Sequence, residues 1–406
     1  MTSTRRGPLL LILFAALMAG AGNGISLVAF PWLVLQRNGS ALDASIVAMA
    51  GTLPLLMATL IAGAAVDYLG RRRVSMISDL LSALSVAAVP VLALIFGVNT
   101  INVAVLATLA ALGAFFDPAG MTARETMLPE AAGRADWTLD HANSVYEAVF
   151  NLAYIVGPGI GGLLIATIGG INTMWVTAAT FCFSLVAISV LRLEGAGSPD
   201  HSELPDGILA GILEGLRFVW HTPVLRTLAI VDLVATGLYM PMESVLFPKY
   251  FTDRDEPAEL GWVLMALSIG GLLGALSYAV LSGYLSRRFL TLTALLTLGG
   301  AMTVIAFLPP LPLILVLCAI VGFVYGPMAP IYNYVMQTRA PAHLRGRVVG
   351  VMGSLAYAAG PLGLILAGPL ADAAGLQVTF LALSLPMLAL GLIAVFLPAL
   401  RQLERS

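Results

Sequence analysis

Apolar residues run through this chain in long unbroken stretches, separated by charged residues or by Gly and Pro breaks. Twelve stretches stand out, six of them near 8–36, 44–67, 74–97, 101–123, 141–167 and 171–193. The other six fall near 224–250, 259–284, 289–308, 312–338, 347–371 and 376–399. Each has roughly the 20 residues that carry a helix across a bilayer. Strands of a membrane barrel would alternate apolar and polar positions instead. The first stretch follows Arg5 and Arg6 but stays apolar too long for a secretory leader, so it reads as an uncleaved first span. The pattern predicts an all-α polytopic membrane protein with twelve transmembrane helices. The longest polar stretch, 194–223, divides them into six-helix bundles over 1–193 and 224–406. This cytoplasmic linker holds a short amphipathic helix from Gly207 to Trp220, suited to a membrane surface.

Composition agrees: 59% of residues are apolar, 10% are charged and mean hydropathy is +0.95. Soluble domains carry about 25% charged residues, so a soluble protein is excluded. A net charge of −2 gives no reason to expect a nucleic-acid partner. Cys182 and Cys318 sit in apolar runs and read as small buried hydrophobes. Placing the N-terminus in the cytoplasm puts seventeen of the twenty cationic residues inside, Arg71, Arg72, Arg73, Arg124, Arg287 and Arg288 among them. Only Arg37, Lys249 and Arg254 remain outside, the bias expected of a cell-membrane protein with both termini cytoplasmic. Trp32, Trp175 and Trp262 then fall at the outer interface, and Trp137 and Trp220 near the inner one.

The two halves echo one another. Gly113-Ala114-Phe115-Phe116-Asp117-Pro118 in span four is answered by Gly322-Phe323-Val324-Tyr325-Gly326-Pro327 in span ten. Gly157-Pro158 in span five is answered by Gly360-Pro361 in span eleven, and Tyr68-Leu69-Gly70-Arg71-Arg72 by Tyr284-Leu285-Ser286-Arg287-Arg288. Internal repeats of this kind build transporters whose two bundles rock about a central cavity.

Between spans two and three stands Gly63-Ala64-Ala65-Val66-Asp67-Tyr68-Leu69-Gly70-Arg71-Arg72-Arg73. It resembles the signature loop of the major facilitator superfamily, with Tyr68 where Arg or Lys is usual. The resemblance implies a cytoplasmic latch made by Gly63, Asp67, Gly70, Arg71, Arg72 and Arg73. The second copy has Gly283 in place of Asp67, so the latch is expected to be lopsided. Gly157-Pro158-Gly159-Ile160-Gly161-Gly162 resembles the family's antiporter motif, carried here by Gly157, Pro158, Gly161 and Gly162. That motif implies export in exchange for protons. Phe30-Pro31-Trp32, Phe116-Asp117-Pro118-Ala119, Ala142-Asn143 and Arg345-Gly346-Arg347-Val348 are similar to a bacterial branch holding enterobactin-exporter-like and macrolide-efflux-like proteins. The branch implies export of amphipathic natural products or antibiotics. One departure is that Leu109 stands four residues before Gly113, where many proton-coupled members carry an arginine.

An ionisable group inside a span costs roughly 2.5–3.5 kcal/mol on insertion scales, which makes each one a functional candidate. Asp232, Thr236, Tyr239 and Glu243 share one face of span seven, and Glu147, Asn151, Tyr154 and Pro158 share one of span five. Candidates for proton coupling are Asp232, Glu147, Asp117 and Glu243. Asp117 has an alternative role as a partner of Arg124. Asp79 and Asp372 lie near helix ends, where a carboxylate is solvated or caps a helix. Candidates for an aromatic-lined substrate cavity are Asn23, Ser26, Phe115, Phe116, Asn151, Tyr154, Tyr239, Tyr325, Tyr332 and Tyr357. His141, His201, His221 and His343 show no metal-ligand spacing, and neither a nucleophile elbow nor a nucleotide loop is present. The expected activity is therefore secondary transport without cofactor or metal: export of small molecules against protons by a monomer in lipid. Proton-linked import of a small nutrient is the main alternative, and a membrane-embedded enzyme a remote one.

Overall fold

The computed structural model describes residues 6–193, 208–341 and 344–403. Most of the predicted linker, 194–207, lies outside that set, as do the side chains of Asp67, Asn143, Glu147, Asn151, Tyr154 and Tyr357 and the surroundings of Gly63. The described residues form sixteen α-helices. In the first half these are α1 (Gly7–Asn38), α2 (Ala41–Ala50), α3 (Leu53–Leu69), α4 (Arg71–Phe96), α5 (Val103–Ala135), α6 (Leu139–Ile168) and α7 (Gly170–Val190). Next come α8 (Ile208–His221), α9 (Pro223–Pro241), α10 (Phe247–Thr252), α11 (Pro257–Leu281) and α12 (Arg287–Ile305). The chain ends with α13 (Leu311–Tyr325), α14 (Met328–Arg339), α15 (Arg345–Ala374) and α16 (Leu376–Phe396). Three predicted spans are interrupted: the second at Gly51-Thr52 before Pro54, the seventh by a π-turn over Met242–Leu246 that follows Pro241, and the tenth at Gly326-Pro327. Proline explains each break, since it removes a backbone donor and crowds the preceding turn.

Contacts group the chain into two units, Met1–Gly39, Ile46–Leu204 and Asp255–Gly261 in the first, Ser40–Ser45, Pro205–Arg254 and Trp262–Ser406 in the second. In the first unit α1 packs along α6 and α7, and α4 along α5 and α7. Leu9, Ile12, Met127, Leu128, Tyr146 and Ile188 form one of its cores. In the second unit α9 packs along α15, and α12 along α13 and α16. Its core gathers Leu225, Leu228, Ile331, Val335, Val348 and Leu400. Single glycines at φ +83, Gly169 and Gly375, join the last two helices of each half. That backbone conformation strains any side chain and suits glycine.

Four expectations need correction. Arg124 does not sit in a cytoplasmic loop: span four continues as α5 to Ala135, and Arg124 is buried inside it. Trp32 does not present its ring to the surroundings but is 1% exposed, whereas Trp175 and Trp262 do present theirs. Cys182 is exposed on α7 and only Cys318 is buried. Asp79, rather than being solvated at a helix end, is 2% exposed. Asp372 does cap a helix, though not its own: it accepts from Ser40 Oγ at 3.0 Å, Ala41 N at 2.8 Å and Leu42 N at 2.9 Å at the start of α2.

Candidate functional site

Two polar clusters lie inside the helical units, one in each. The cluster in the first unit begins with a stripe on α4. Ser75, Ser78, Asp79, Ser82 and Ser85 recur at helical spacing and all are buried. A polar stripe in an apolar bundle persists only if its groups find partners. Ser78 Oγ donates to the Phe116 carbonyl at 2.8 Å, Ser85 Oγ to the Leu109 carbonyl, and Ser82 Oγ to Asp117 Oδ1 at 2.8 Å. Asp79 pairs with Arg124, Nη1 to Oδ1 at 2.9 Å, and accepts from Ser184 Oγ of α7 at 2.7 Å. Arg124 thus serves Asp79, and Asp117 is held by a serine instead of by the arginine expected as its partner.

The cluster in the second unit is built on α9. Asp232 and Tyr239, seven residues apart, share its face, Glu243 follows just beyond its end, and Tyr332 of α14 lies against the Asp232 carboxylate. Tyr325 of α13 lies within electrostatic reach of Asp232 and Tyr239, and Cys318 within reach of Glu243. The π-turn Met242–Leu246 after Pro241 carries Glu243. Turns of that kind concentrate at functional sites because they leave backbone groups and side chains out of register. Of the predicted substrate-contact residues, the structure brings Tyr239, Tyr325 and Tyr332 together around two carboxylates. In the first unit Asn23 and Ser26 lie half-buried on α1. Phe115 and Phe116 meet edge to face, centroids 5.5 Å apart, on α5.

The glycines of the antiporter-like motif are packing positions. A Cβ on Gly157 would stand 2.7 Å from Gly24 Cα, and one on Gly161 would stand 3.4 Å from Ile25 Cα, so α1 and α6 meet backbone to backbone. A Cβ on Gly162 would meet Gly261 Cα at 2.6 Å. In the signature loop, Gly70 makes the turn between α3 and α4 at φ +84. Arg71 Nη1 donates to the Thr126 carbonyl at 2.9 Å. Arg72 donates to the carbonyls of Ile188, at 3.2 Å, and Ser189, in the last turn of α7. Two of the three arginines therefore donate to helix carbonyls within the first unit, and Arg72 also meets the negative end of the α7 dipole. Arg288 repeats this in the second unit by donating to the Val395 carbonyl of α16 at 3.0 Å.

Sequence reasoning missed Asp79, Arg124, Ser184 and the serine stripe. The signal was available as serines three and four residues apart in an otherwise apolar span.

Among the described residues no cluster of three or more His, Cys, Asp or Glu could hold a metal ion.

The chain is 87% identical over 404 residues to the multidrug efflux pump Tap of Mycolicibacterium fortuitum, covering 100% of this chain and 99% of that protein. It is 23% identical over 398 residues to macrolide efflux protein A of Streptococcus pyogenes, with 95% and 96% covered. Its fold superposes on a D-xylose-proton symporter with a TM-score of 0.76 at 10% identity, covering 98% and 99% of the two chains. Residues 12–364 match the Major Facilitator Superfamily. With that match over most of its length, and the signature loop and repeat in place, the chain is a multi-pass membrane transporter belonging to the Major Facilitator Superfamily.

Proposed function

We propose that this protein exports amphipathic small molecules, antibiotics among them, across the cell membrane in exchange for protons. It works by alternating access of its two six-helix bundles, as a monomer with both termini in the cytoplasm. The observation that carries the reading is 87% identity over the full length to a multidrug efflux pump. The Gly-Pro motif in α6 supports export, and Asp232 of α9, which lies against Tyr332, is the group we assign to proton coupling. A carboxyl in that setting exchanges its proton when substrate or water replaces the tyrosine. One proton crossing 100 mV supplies about 2.3 kcal/mol, enough for roughly a 50-fold concentration ratio.

The test is ethidium accumulation in cells making the wild type or Asp232→Asn, with and without a protonophore. Wild-type cells should hold less dye, and both the protonophore and the substitution should abolish the difference. Equal accumulation in all four conditions would remove proton-driven export from consideration.

A further inference from the structure

Among the described residues of the first unit, three charged side chains gather between α4 and α5: Arg124 and Asp79, both buried, and Asp117, half-buried. With both acids ionised the cluster would carry a net negative charge beside a buried ion pair, which an apolar bundle disfavours. Arg124 has engaged only one acid. Its Nη1 faces Asp79 at 2.9 Å and lies 3.5 Å from Ser75 Oγ and from Ser184 Oγ. Its Nε is buried without a hydrogen-bond partner among the described residues.

Geometry gives Arg124 a second destination. Asp117 and Arg124 are seven residues apart on α5, two turns along one face. A helical side chain leans toward the helix N-terminus, so the arginine points back along α5 toward the turn of Asp117. Gly120 lies between them, and the position its Cβ would take is 3.6 Å from Arg124 Nη2 and 2.8 Å from Ser78 Cβ. Any larger residue at 120 would close that path. The repeat sharpens the point. Counterparts of Asp79, Asp117 and Arg124 in the second half are Leu295, Gly326 and Asn333, so the cluster belongs to the first half alone.

We propose that Asp117 is a second proton-binding site, separate from Asp232, and that Arg124 is the positioning residue that reads its charge. With the proton on Asp117, the acid accepts from Ser82 and Arg124 stays with Asp79, the arrangement in this structure. When the proton leaves to water, the Asp117 carboxylate draws the guanidinium back over Gly120 and Asp79 keeps only Ser184. No bond other than the O–H is made or broken. The exchange alters how α4, α5 and α7 are tied together. This inference rests on the proton-coupled reading for its role in transport, though not for the existence of the site.

Among the described residues the charged and titratable neighbours are few. Asp79 comes from α4, Arg124 from α5, and Tyr146 of α6 reaches the arginine. Helix α7 supplies Ser184. Arg37 of α1 is held at the far end of α4, by the carbonyls of Val98 and Ile101. Asp67 and Tyr68 of α3 and Glu147 of α6 have side chains outside the described set.

The test is acid-minus-alkaline infrared difference spectroscopy on the full-length protein in lipid nanodiscs. A carboxylic-acid C=O band should be lost in Asp117→Asn, retained but shifted in Asp117→Glu, and untouched in Asp232→Asn. In Asp79→Asn the freed arginine should pair with Asp117 and weaken that band, a check that stands even if Asp117→Asn fails to fold. An unchanged spectrum in monodisperse Asp117→Asn or in Asp79→Asn would overturn the proposal. In proteoliposomes, ethidium uptake driven by a pH gradient should fall at least tenfold in Asp117→Asn, and uptake within twofold of wild type would refute the coupling role. If the wild type itself ignores the gradient, proton-driven export fails while the infrared result still decides the site.

Discussion

At the scale of single residues, the Arg124–Asp79 pair sets the largest stability effect expected in the first unit. Both side chains are nearly inaccessible, at 3% and 2% exposure. Removing one member leaves an uncompensated buried charge, which costs about 3–5 kcal/mol, whereas replacing both by apolar residues is often neutral. Arg124→Met should therefore lower the thermal unfolding temperature in detergent sharply, and Arg124→Met with Asp79→Leu should recover most of the loss. If the double variant is as unstable as the single, the pair is not an isolated buried charge couple. These residues also mark where the sequence stopped being legible. Asp232 and Glu243 could be found because four polar residues fall at helical spacing in the predicted seventh span. Arg124 could not, because an arginine just past an apolar run looks like an ordinary cytoplasmic charge. Only its partner Asp79, forty-five residues away, shows that the helix carries on through it.

At the scale of elements, the glycines separate tight seams from loose ones. Gly157 lies where α6 touches α1, with Gly24 Cα 2.7 Å from the place of its absent Cβ, whereas a Cβ on Gly133 of α5 would meet nothing within 4 Å. The same substitution should then act in opposite directions. Gly157→Ala forces the helices apart and should cost about 1–3 kcal/mol. Gly133→Ala removes a poor helix former from an exposed turn and should add up to about 1 kcal/mol. Unfolding followed by tryptophan fluorescence measures both, and equal effects would contradict the seam. Most spans were readable as elements because apolar runs and proline or glycine breaks are local signals. The length of α5 was not, since the burial of its polar second half depends on partners from α4 and α7. Nor was the double role of the signature-loop arginines. Arg72 looks like a topological charge, yet it also closes the carbonyl end of α7.

At the scale of the whole molecule, the number of crossings fixes the topology. Among the described residues eleven helical stretches are long and apolar enough to cross a membrane. The remaining element, α6, qualifies by length alone: its 30 residues extend about 45 Å at 1.5 Å per residue, against a hydrocarbon core of about 30 Å. Only its portion Val156–Ile168 is apolar, because Asp140, His141, Asn143, Glu147 and Asn151 fill the first half. A helix with such residues can cross only if other helices cover it, and α1 packs along it. The repeat requires the same crossing. Its counterpart α15 carries Gly360-Pro361 where α6 carries Gly157-Pro158, and each leads through a single glycine into the last helix of its half. Counting α6 gives an even number of crossings and puts both termini on one side. Moving Arg124 from the loops into a helix leaves sixteen of the seventeen cations on that side against three on the other, so the bias toward cytoplasmic termini survives. Fluorescent-protein and alkaline-phosphatase fusions at the C-terminus should accordingly be bright and inactive, respectively. A fusion truncated after Ile168 should give the opposite pair, because it ends after five crossings. Active phosphatase at the full-length C-terminus would mean that one stretch does not cross, and an inactive enzyme after Ile168 would single out α6.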